Sequence, residues 1–363
     1  MDDYKNPRLV VETSQLKSGS ITWQSPSNLA IIKYWGKYGV QLPKNPSFSF
    51  TLKNAITETT LDYEPKKGID TGIVALEFFF DGQPMPAFEE KIKSFLTSIV
   101  EIFPFLRQLK LHISSHNSFP HSSGIASSAS SMSALALCLC SLEDDLFGTL
   151  KNDIAFRTKA SYVARLGSGS ACRSIFAQGA IWGESGEAAG SSNLYAIPYE
   201  QGLHPVFKTL HDDILIVSKG EKAVSSRAGH ALMENNAYAE IRYKQARQRF
   251  HKLIPALKNG DIETFGTITE NEALTLHALM MTSNPSYILM QPNSLHIIQK
   301  VRAFRKEKKL PLYFSLDAGP NLHLLYPDEI QNEVQTFIIN DLLSFCENNQ
   351  WIKDQVGEGP LQV

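Results

Sequence analysis

A small-residue run, Pro120-His121-Ser122-Ser123-Gly124-Ile125-Ala126-Ser127-Ser128-Ala129, leads straight into an apolar, Ala- and Leu-rich segment, Ser130 to Leu142. Small side chains let a backbone approach an anion closely, and the unpaired amides and dipole of a helix start favour negative charge there. Ser127 and Ser128 could add hydroxyls to a phosphate or to a phosphate-bound Mg²⁺. A Ser-rich N-cap on a buried helix has the same composition. No Gly-Lys-Ser/Thr follows, so the run is not a Walker A loop.

Three further segments place polar groups and glycines in apolar surroundings. Ile32-Lys33-Tyr34-Trp35-Gly36-Lys37 offers point charges for phosphate and a phenol, or else is a strand-exit turn with solvated lysines. Gly167-Ser168-Gly169-Ser170-Ala171-Cys172-Arg173 opens a second candidate helix start with a guanidinium one turn in. Backbone amides, hydroxyls and a guanidinium fork suit a carboxylate or phosphate; a flexible Gly/Ser linker is the alternative. Asp317-Ala318-Gly319-Pro320-Asn321 is either turn chemistry or a catalytic carboxylate on a loop after a strand. Val224-Ser225-Ser226-Arg227 offers hydroxyls and a cation to a phosphate and equally reads as an N-cap.

Elements must position these groups. Alternation and β-branched content predict strands at 20–24, 47–53, 74–80, Leu109–Ser115, Ala177–Trp182, Asp213–Ser218, Leu312–Leu316 and His323–Tyr326. Asp81-Gly82 predicts a hairpin turn. Helical spacing covers 87–102, 152–165, a long polar stretch 228–257, 261–282 and 292–308. The Pro/Gly-bearing stretch Pro198 to Pro205 predicts a boundary near 200–210. Strands and helices mix without strict alternation, which predicts an α+β class rather than a doubly wound sheet.

Composition sets bounds. The 363 residues suit two domains or one large one, with 43% hydrophobic and 20% charged content. A formal net charge of -2 argues against a nucleic-acid partner. No run reaches the apolar length of a membrane span, and the polar N-terminus lacks a signal-peptide core. The cysteines Cys138, Cys140, Cys172 and Cys346 form no CxxC pair, so a reducing cytoplasm is expected, with Cys138 and Cys140 as small core hydrophobes. The ten histidines show no HExxH spacing, and no protein-bound metal is expected.

Taken in order, these segments resemble one family. Ser25-Pro26-x-Asn28-x-Ala30-x-Ile32-Lys33-Tyr34-Trp35-Gly36-Lys37, then Asn45-x-Ser47-x-Ser49-x-Thr51-Leu52, is similar to the start of diphosphomevalonate decarboxylases. Phe119-Pro120 through Ala129 resembles that family's phosphate loop. Ser168 to Ser174, Asp317 to Asn321 and the closing Gln355-Val356-Gly357-x-Gly359-Pro360 complete a match spanning nearly the whole chain.

The resemblance implies a two-domain GHMP-kinase fold, commonly a homodimer. A ribosomal protein S5 domain 2-like N-terminal domain would occupy residues 1–208 and a ferredoxin-like C-terminal domain residues 209–363. It implies ATP-dependent decarboxylation of mevalonate 5-diphosphate to isopentenyl diphosphate, with no nucleic-acid or membrane partner. It assigns catalysis to Asp317, Arg173 and Lys37. Asp317 would orient or deprotonate the 3-hydroxyl, and Arg173 would hold the substrate carboxylate. Tyr34, Trp35, Gly36, Lys37, Ser168, Gly169, Ser170, Ala171, Cys172 and Arg173 would form the substrate site, closed over by Ser225, Ser226 and Arg227. Ser122, Ser123, Gly124, Ile125, Ala126, Ser127 and Ser128 would hold ATP, with Mg²⁺ bridging its phosphates. Asn28 would brace the lysine segment.

The chain departs from the family pattern at two places. His121-Ser122-Ser123 stands where Thr-Ala-Ala is common, and Gln83 follows the Asp81-Gly82 turn where many relatives carry an arginine for the diphosphate. A phosphomevalonate decarboxylase or a mevalonate 3-kinase on the same scaffold is the alternative. A non-enzymatic binding module is the rival of another class.

Overall fold

The computed structural model describes residues 4–12, 14–67, 72–120, 125–220 and 224–363. Its first sheet is built on two long antiparallel strands, β1 (Gly19–Ile32) and β2 (Ser47–Pro65). Both run well past the predicted 20–24 and 47–53. Pro26 cannot donate to a ladder, which hid the continuation of β1. The ladder absorbs it with a register shift between Pro26 and Asn28. Strand β3 (Ala75–Phe80) turns at Asp81-Gly82, both at positive φ as a tight hairpin requires. Helix α1 (Pro86–Ser98) follows and ends short of the expected 102.

Strand β4 (Leu109–Asn117) pairs antiparallel with β2 and parallel with β3. Helix α2 (Ser127–Phe147) starts three residues before the apolar run Ser130 to Leu142, so Ser127 and Ser128 lie in its first turn. Leu135 to Cys140 are buried without a break. A helix apolar all round must be covered on every side. The sheet and α3 (Asp153–Gly167) supply that cover. Cys138 and Cys140 are core residues, as expected. Strands β5 (Gly179–Trp182) and β6 (Ala196–Pro198) extend the sheet beside β2.

The second sheet is centred on β7 (His211–Leu215). The predicted helix 228–257 is two helices, α4 (Ser226–Ala231) and α5 (Ala239–Asn259). Between them the Asn236 carboxamide accepts the Tyr238 amide and donates to the Leu279 carbonyl. A local side-chain bond of this kind competes with helix continuation. Helix α6 (Ile262–Met281) is capped by Asp261, which accepts the Thr264 amide. Then come α7 (Pro292–Lys308), β8 (Tyr313–Ser315), β9 (Leu322–Tyr326), α8 (Gln331–Phe337) and β10 (Trp351–Ile352). The strand order is β8-β9-β7-β10, all antiparallel.

One core joins the halves. Leu29, Ile31, Phe48 and Phe50 of the first sheet pack with Phe250, Leu253 and Leu257 of α5 and Phe265 of α6. The chain end returns across this seam, where Leu361–Gln362 pairs with β1 at Trp23 and Gln24. No helix among the described residues is long and apolar enough to cross a membrane.

Candidate active site

The site lies where β1 ends. Lys33 is the first residue past that strand, and its side chain is 2% exposed. Its ammonium donates to the Asp317 Oδ1 at 2.7 Å and to the Ser315 hydroxyl at 3.0 Å. This bond joins the two sheets, because Ser315 ends β8 and Asp317 sits in the turn before β9. The turn chemistry is present as well: the Gly319 amide bonds the Asp317 carbonyl at 2.7 Å. His277 of α6 lies 3.1 Å from that same carbonyl through Nε2. Burial lowers the His277 pKa to about 4, so its ring is neutral at pH 7 and Nε2 is the donor. Lys33 had read as a phosphate contact or a solvated surface lysine; it is neither exposed nor unpaired.

Arg173 is buried beside the end of β1. It lies in a 3₁₀ helix, Gly169–Ile175, rather than at the start of an α-helix. Its Nη1 donates to the Ser47 hydroxyl at 2.7 Å, and its Nε donates to the Ser49 hydroxyl at 2.9 Å and to Asn28 Oδ1 at 3.3 Å. Its guanidinium carbon lies 5.8 Å over the Trp182 ring. Burial pushes its pKa down, opposed by the Cys172, Asp317 and Tyr34 groups. Asn28 was expected to brace the lysine segment. It instead donates to the Ser170 carbonyl and the Ser174 hydroxyl, because its position in β1 faces the 3₁₀ turn. Ala171 and Cys172 are fully buried in the core beneath that turn, and Cys172 donates its thiol to the Gly169 carbonyl.

Tyr34, Trp35, Gly36 and Lys37 form the exit turn. The Tyr34 ring lies 4.6 Å from Trp182 and 4.4 Å from His230. Its buried hydroxyl has no hydrogen-bond partner among the described residues. Burial pushes that phenol's pKa up, so it remains a donor. Gly169 must be glycine: a Cβ there would lie 2.8 Å from the Tyr34 oxygen and 3.0 Å from the Trp182 ring. Gly36 takes φ +101, and a Cβ would lie 2.2 Å from the Tyr243 hydroxyl. Trp35 is a core wedge, packed with Met233, Tyr243, Leu276 and Ala318. Lys37 is half-buried and donates to Gln41 Oε1 at 3.0 Å. Burial and the Arg227 charge lower its pKa.

Helix α4 docks on this turn. His230 accepts the Gly36 amide at Nδ1, 3.0 Å away, and lies 4.6 Å from the Trp35 ring. Burial, helped by Lys37, pushes its pKa down to about 3, so it is a neutral acceptor. Ser225 caps α4 by accepting the Ala228 amide, the N-cap reading of that segment. Ser226 and Arg227 are exposed beside it.

At the phosphate segment, His121, Ser122, Ser123 and Gly124 lie outside the described residues. Ile125 is buried in a small core cluster with Phe119. Ala126 takes the left-handed conformation and starts α2. The Ser168 hydroxyl donates to the Ser128 hydroxyl at 3.4 Å, which brings the Arg173 segment against the first turn of α2. Hydroxyls and helix-start amides here suit phosphate oxygens and a phosphate-bound cation. Gln83 is exposed on a two-residue edge strand, Gln83–Pro84.

Two site residues were not among those assigned from sequence, Lys33 and His277. The sequence signal for Lys33 was its direct attachment to the apolar run Ala30-Ile31-Ile32. For His277 it was a histidine one position from Leu276 on a helix whose apolar stripe continues to Leu279 and Met280.

The α+β architecture is a two-domain fold of the GHMP-kinase class. Residues 25–194 match the diphosphomevalonate decarboxylase-like N-terminal domain, and residues 213–360 match the mevalonate 5-diphosphate decarboxylase C-terminal domain. A diphosphomevalonate decarboxylase from Schizosaccharomyces pombe is 30% identical over 356 residues, covering 94% of this chain and 86% of the relative. The structure of mevalonate diphosphate decarboxylase from Staphylococcus aureus superposes with a TM-score of 0.79 at 27% identity, covering 96% of this chain and 99% of that one. A structure of MDDEF in complex with MVAPP, AMPPCP and magnesium gives 0.79 at 27% identity, over 95% of this chain and 99% of that one. This chain belongs to the diphosphomevalonate decarboxylase family.

Proposed function

We propose that the seam between the two sheets converts mevalonate 5-diphosphate to isopentenyl diphosphate, consuming ATP and releasing ADP, phosphate and CO₂. The observation that carries the reading is the 2.7 Å Lys33–Asp317 bond across the seam, with buried Arg173 beside it. Asp317 orients the tertiary 3-hydroxyl for phosphorylation and accepts its proton late, because an alcohol is far more basic than a carboxylate. Lys33 fixes one carboxylate oxygen, so the carboxylate holds its orientation. Once that proton has passed on to solvent, the re-ionised carboxylate favours the cationic character that develops at C3 as the 3-phosphate leaves. Arg173 holds the substrate carboxylate until CO₂ departs, with Ser168 and Ser170 on the same face. Tyr34 and Lys37 take the diphosphate end, and Ser225, Ser226 and Arg227 close over it. Gly124, Ala126, Ser127 and Ser128 hold the ATP phosphates, where Mg²⁺ would neutralise charge on the transferring group.

The division into domains at 1–208 and 209–363 is supported by a separate large sheet on each side of it, although the chain end crosses back. The four unpaired cysteines support a reducing cytoplasmic compartment, and the family resemblance supports a homodimer. The test offers purified protein ATP, Mg²⁺ and either mevalonate 5-diphosphate or mevalonate 5-phosphate. CO₂ and isopentenyl diphosphate from the diphosphate alone are expected. Turnover of the monophosphate alone would overturn the substrate assignment and direct attention to Gln83.

A further inference from the structure

Lys33 carries a catalytic contact, yet its own backbone has left the sheet. The ladder stops at the Ile32–Phe48 pair, and side chains take over. The Lys33 amide donates to Glu272 Oε2 at 2.9 Å. The Lys33 carbonyl accepts from Arg242 Nη2 at 3.3 Å and from the Asn45 carboxamide at 3.2 Å. Glu272 and Arg242 are themselves locked together: Arg242 donates from Nη1 at 2.7 Å and from Nη2 at 2.5 Å to the two carboxylate oxygens. Arg249 adds a third bond to Glu272 at 2.8 Å. Burial alone would raise the Glu272 pKa, but Arg242 and Arg249 hold it below the usual carboxylate value. One planar, bidentate pair thus grips both the donor and the acceptor of a single residue.

We infer that Glu272 and Arg242 are positioning residues that set where the Lys33 ammonium holds Asp317. The pair comes from α5 and α6, and α6 also carries His277 against the Asp317 carbonyl. It reaches Asp317 through Lys33 rather than touching substrate. Displacement of a catalytic contact by about 1 Å can cost on the order of 10²-fold in rate. The inference rests on the proposed role of Asp317.

The experiment compares Glu272→Gln and Arg242→Lys with Arg249→Leu, measuring kcat and both KM values alongside the melting temperature. Arg249 bonds the same carboxylate but does not touch Lys33, so it controls for the stability of the cluster. Glu272→Gln and Arg242→Lys are expected to lower kcat by about 10–100-fold while KM for ATP and for mevalonate 5-diphosphate stays within about threefold. Arg249→Leu is expected to lower the melting temperature with kcat retained. Arg242→Lys keeps a cation beside Glu272 and serves if Glu272→Gln does not fold. Unchanged kcat in the first two variants, or an equal loss in Arg249→Leu, overturns the inference. Wild-type activity in Asp317→Asn would instead overturn the site reading on which it rests.

Discussion

Arg173 and Arg242 are both 2% exposed, yet their surroundings differ in kind. Arg242 is paired with a carboxylate that is itself fully buried. Among the described residues, Arg173 bonds only neutral oxygens, from Ser47, Ser49 and Asn28. Breaking a buried pair strands a charge, so the Arg242 region resists change and suits a fixed frame. A buried guanidinium with neutral acceptors keeps its positive field for whatever anion enters. The same residue type is therefore a closed ion pair in one region and, under the proposed function, the receptor for an anion in the other. The Tyr34 hydroxyl, buried and without a partner among the described residues, belongs with the receptor. Leaving such a group unmade costs on the order of 1–3 kcal/mol, which an entering ligand can recover.

The largest expected break of this comparison comes at the receptor's edge. Asp317→Asn should lower turnover by roughly 10²–10⁴-fold while nucleotide affinity holds, read by steady-state kinetics beside equilibrium binding of an ATP analogue. Activity near wild type would remove Asp317 from the reaction. A smaller effect is expected at the exit turn. Gly36→Ala forces a Cβ against Tyr243 at φ +101, and strain of this kind costs about 1–3 kcal/mol. Urea melts should show the loss, with a raised KM for the diphosphate substrate. An unaffected KM would mean that the turn does not position Lys37.

A further effect concerns pH, where buried histidines and a buried aspartate of the C-terminal half oppose each other. His277 and His230 have folded pKa values lowered to about 4 and about 3. The unfolded chain then binds more protons, so their contribution to stability is present above about pH 6.5 and is lost as pH falls below it. Asp213 of β7, buried and hydrogen-bonded by Tyr326, is raised to about 6. Its contribution runs the other way, present below about pH 4 and lost as pH rises through about 6. Asp213→Asn should therefore steepen the gain in stability between pH 4 and 6.5, by about 1–3 kcal/mol across that window. Denaturant midpoints at pH 4.5, 5.5 and 6.5 would show it, and an unchanged slope would discount the Asp213 contribution.

What was legible in the sequence followed from local physics. The Asp317 segment, by contrast, read equally as turn chemistry and the Arg173 segment as a linker, and only the ordered resemblance of the whole chain singled those two residues out. The strands near the site were visible as alternation, but Pro26 concealed how far β1 runs. Lys33 was ambiguous because a lysine leaving a strand reads alike whether solvated or buried. Its partner lies 284 residues away in the chain. Glu272 and Arg242 looked like the polar faces of two helices. One clue was available: Phe265, Ile268, Glu272, Leu276 and Leu279 fall on one helical stripe, which places a carboxylate on the buried side. The break at Asn236 depends on a carbonyl from another helix, which no local pattern encodes.

The reserved charge of Arg173 is tested most directly by binding. Dissociation constants of Arg173→Ala and of the unaltered protein would be measured separately for mevalonate 5-diphosphate and for a non-hydrolysable ATP analogue, with a melting curve confirming the fold. The account predicts at least about tenfold weaker binding of the diphosphate substrate, or about 1.4 kcal/mol, with nucleotide affinity unchanged. Weakened nucleotide binding with substrate affinity intact would contradict it.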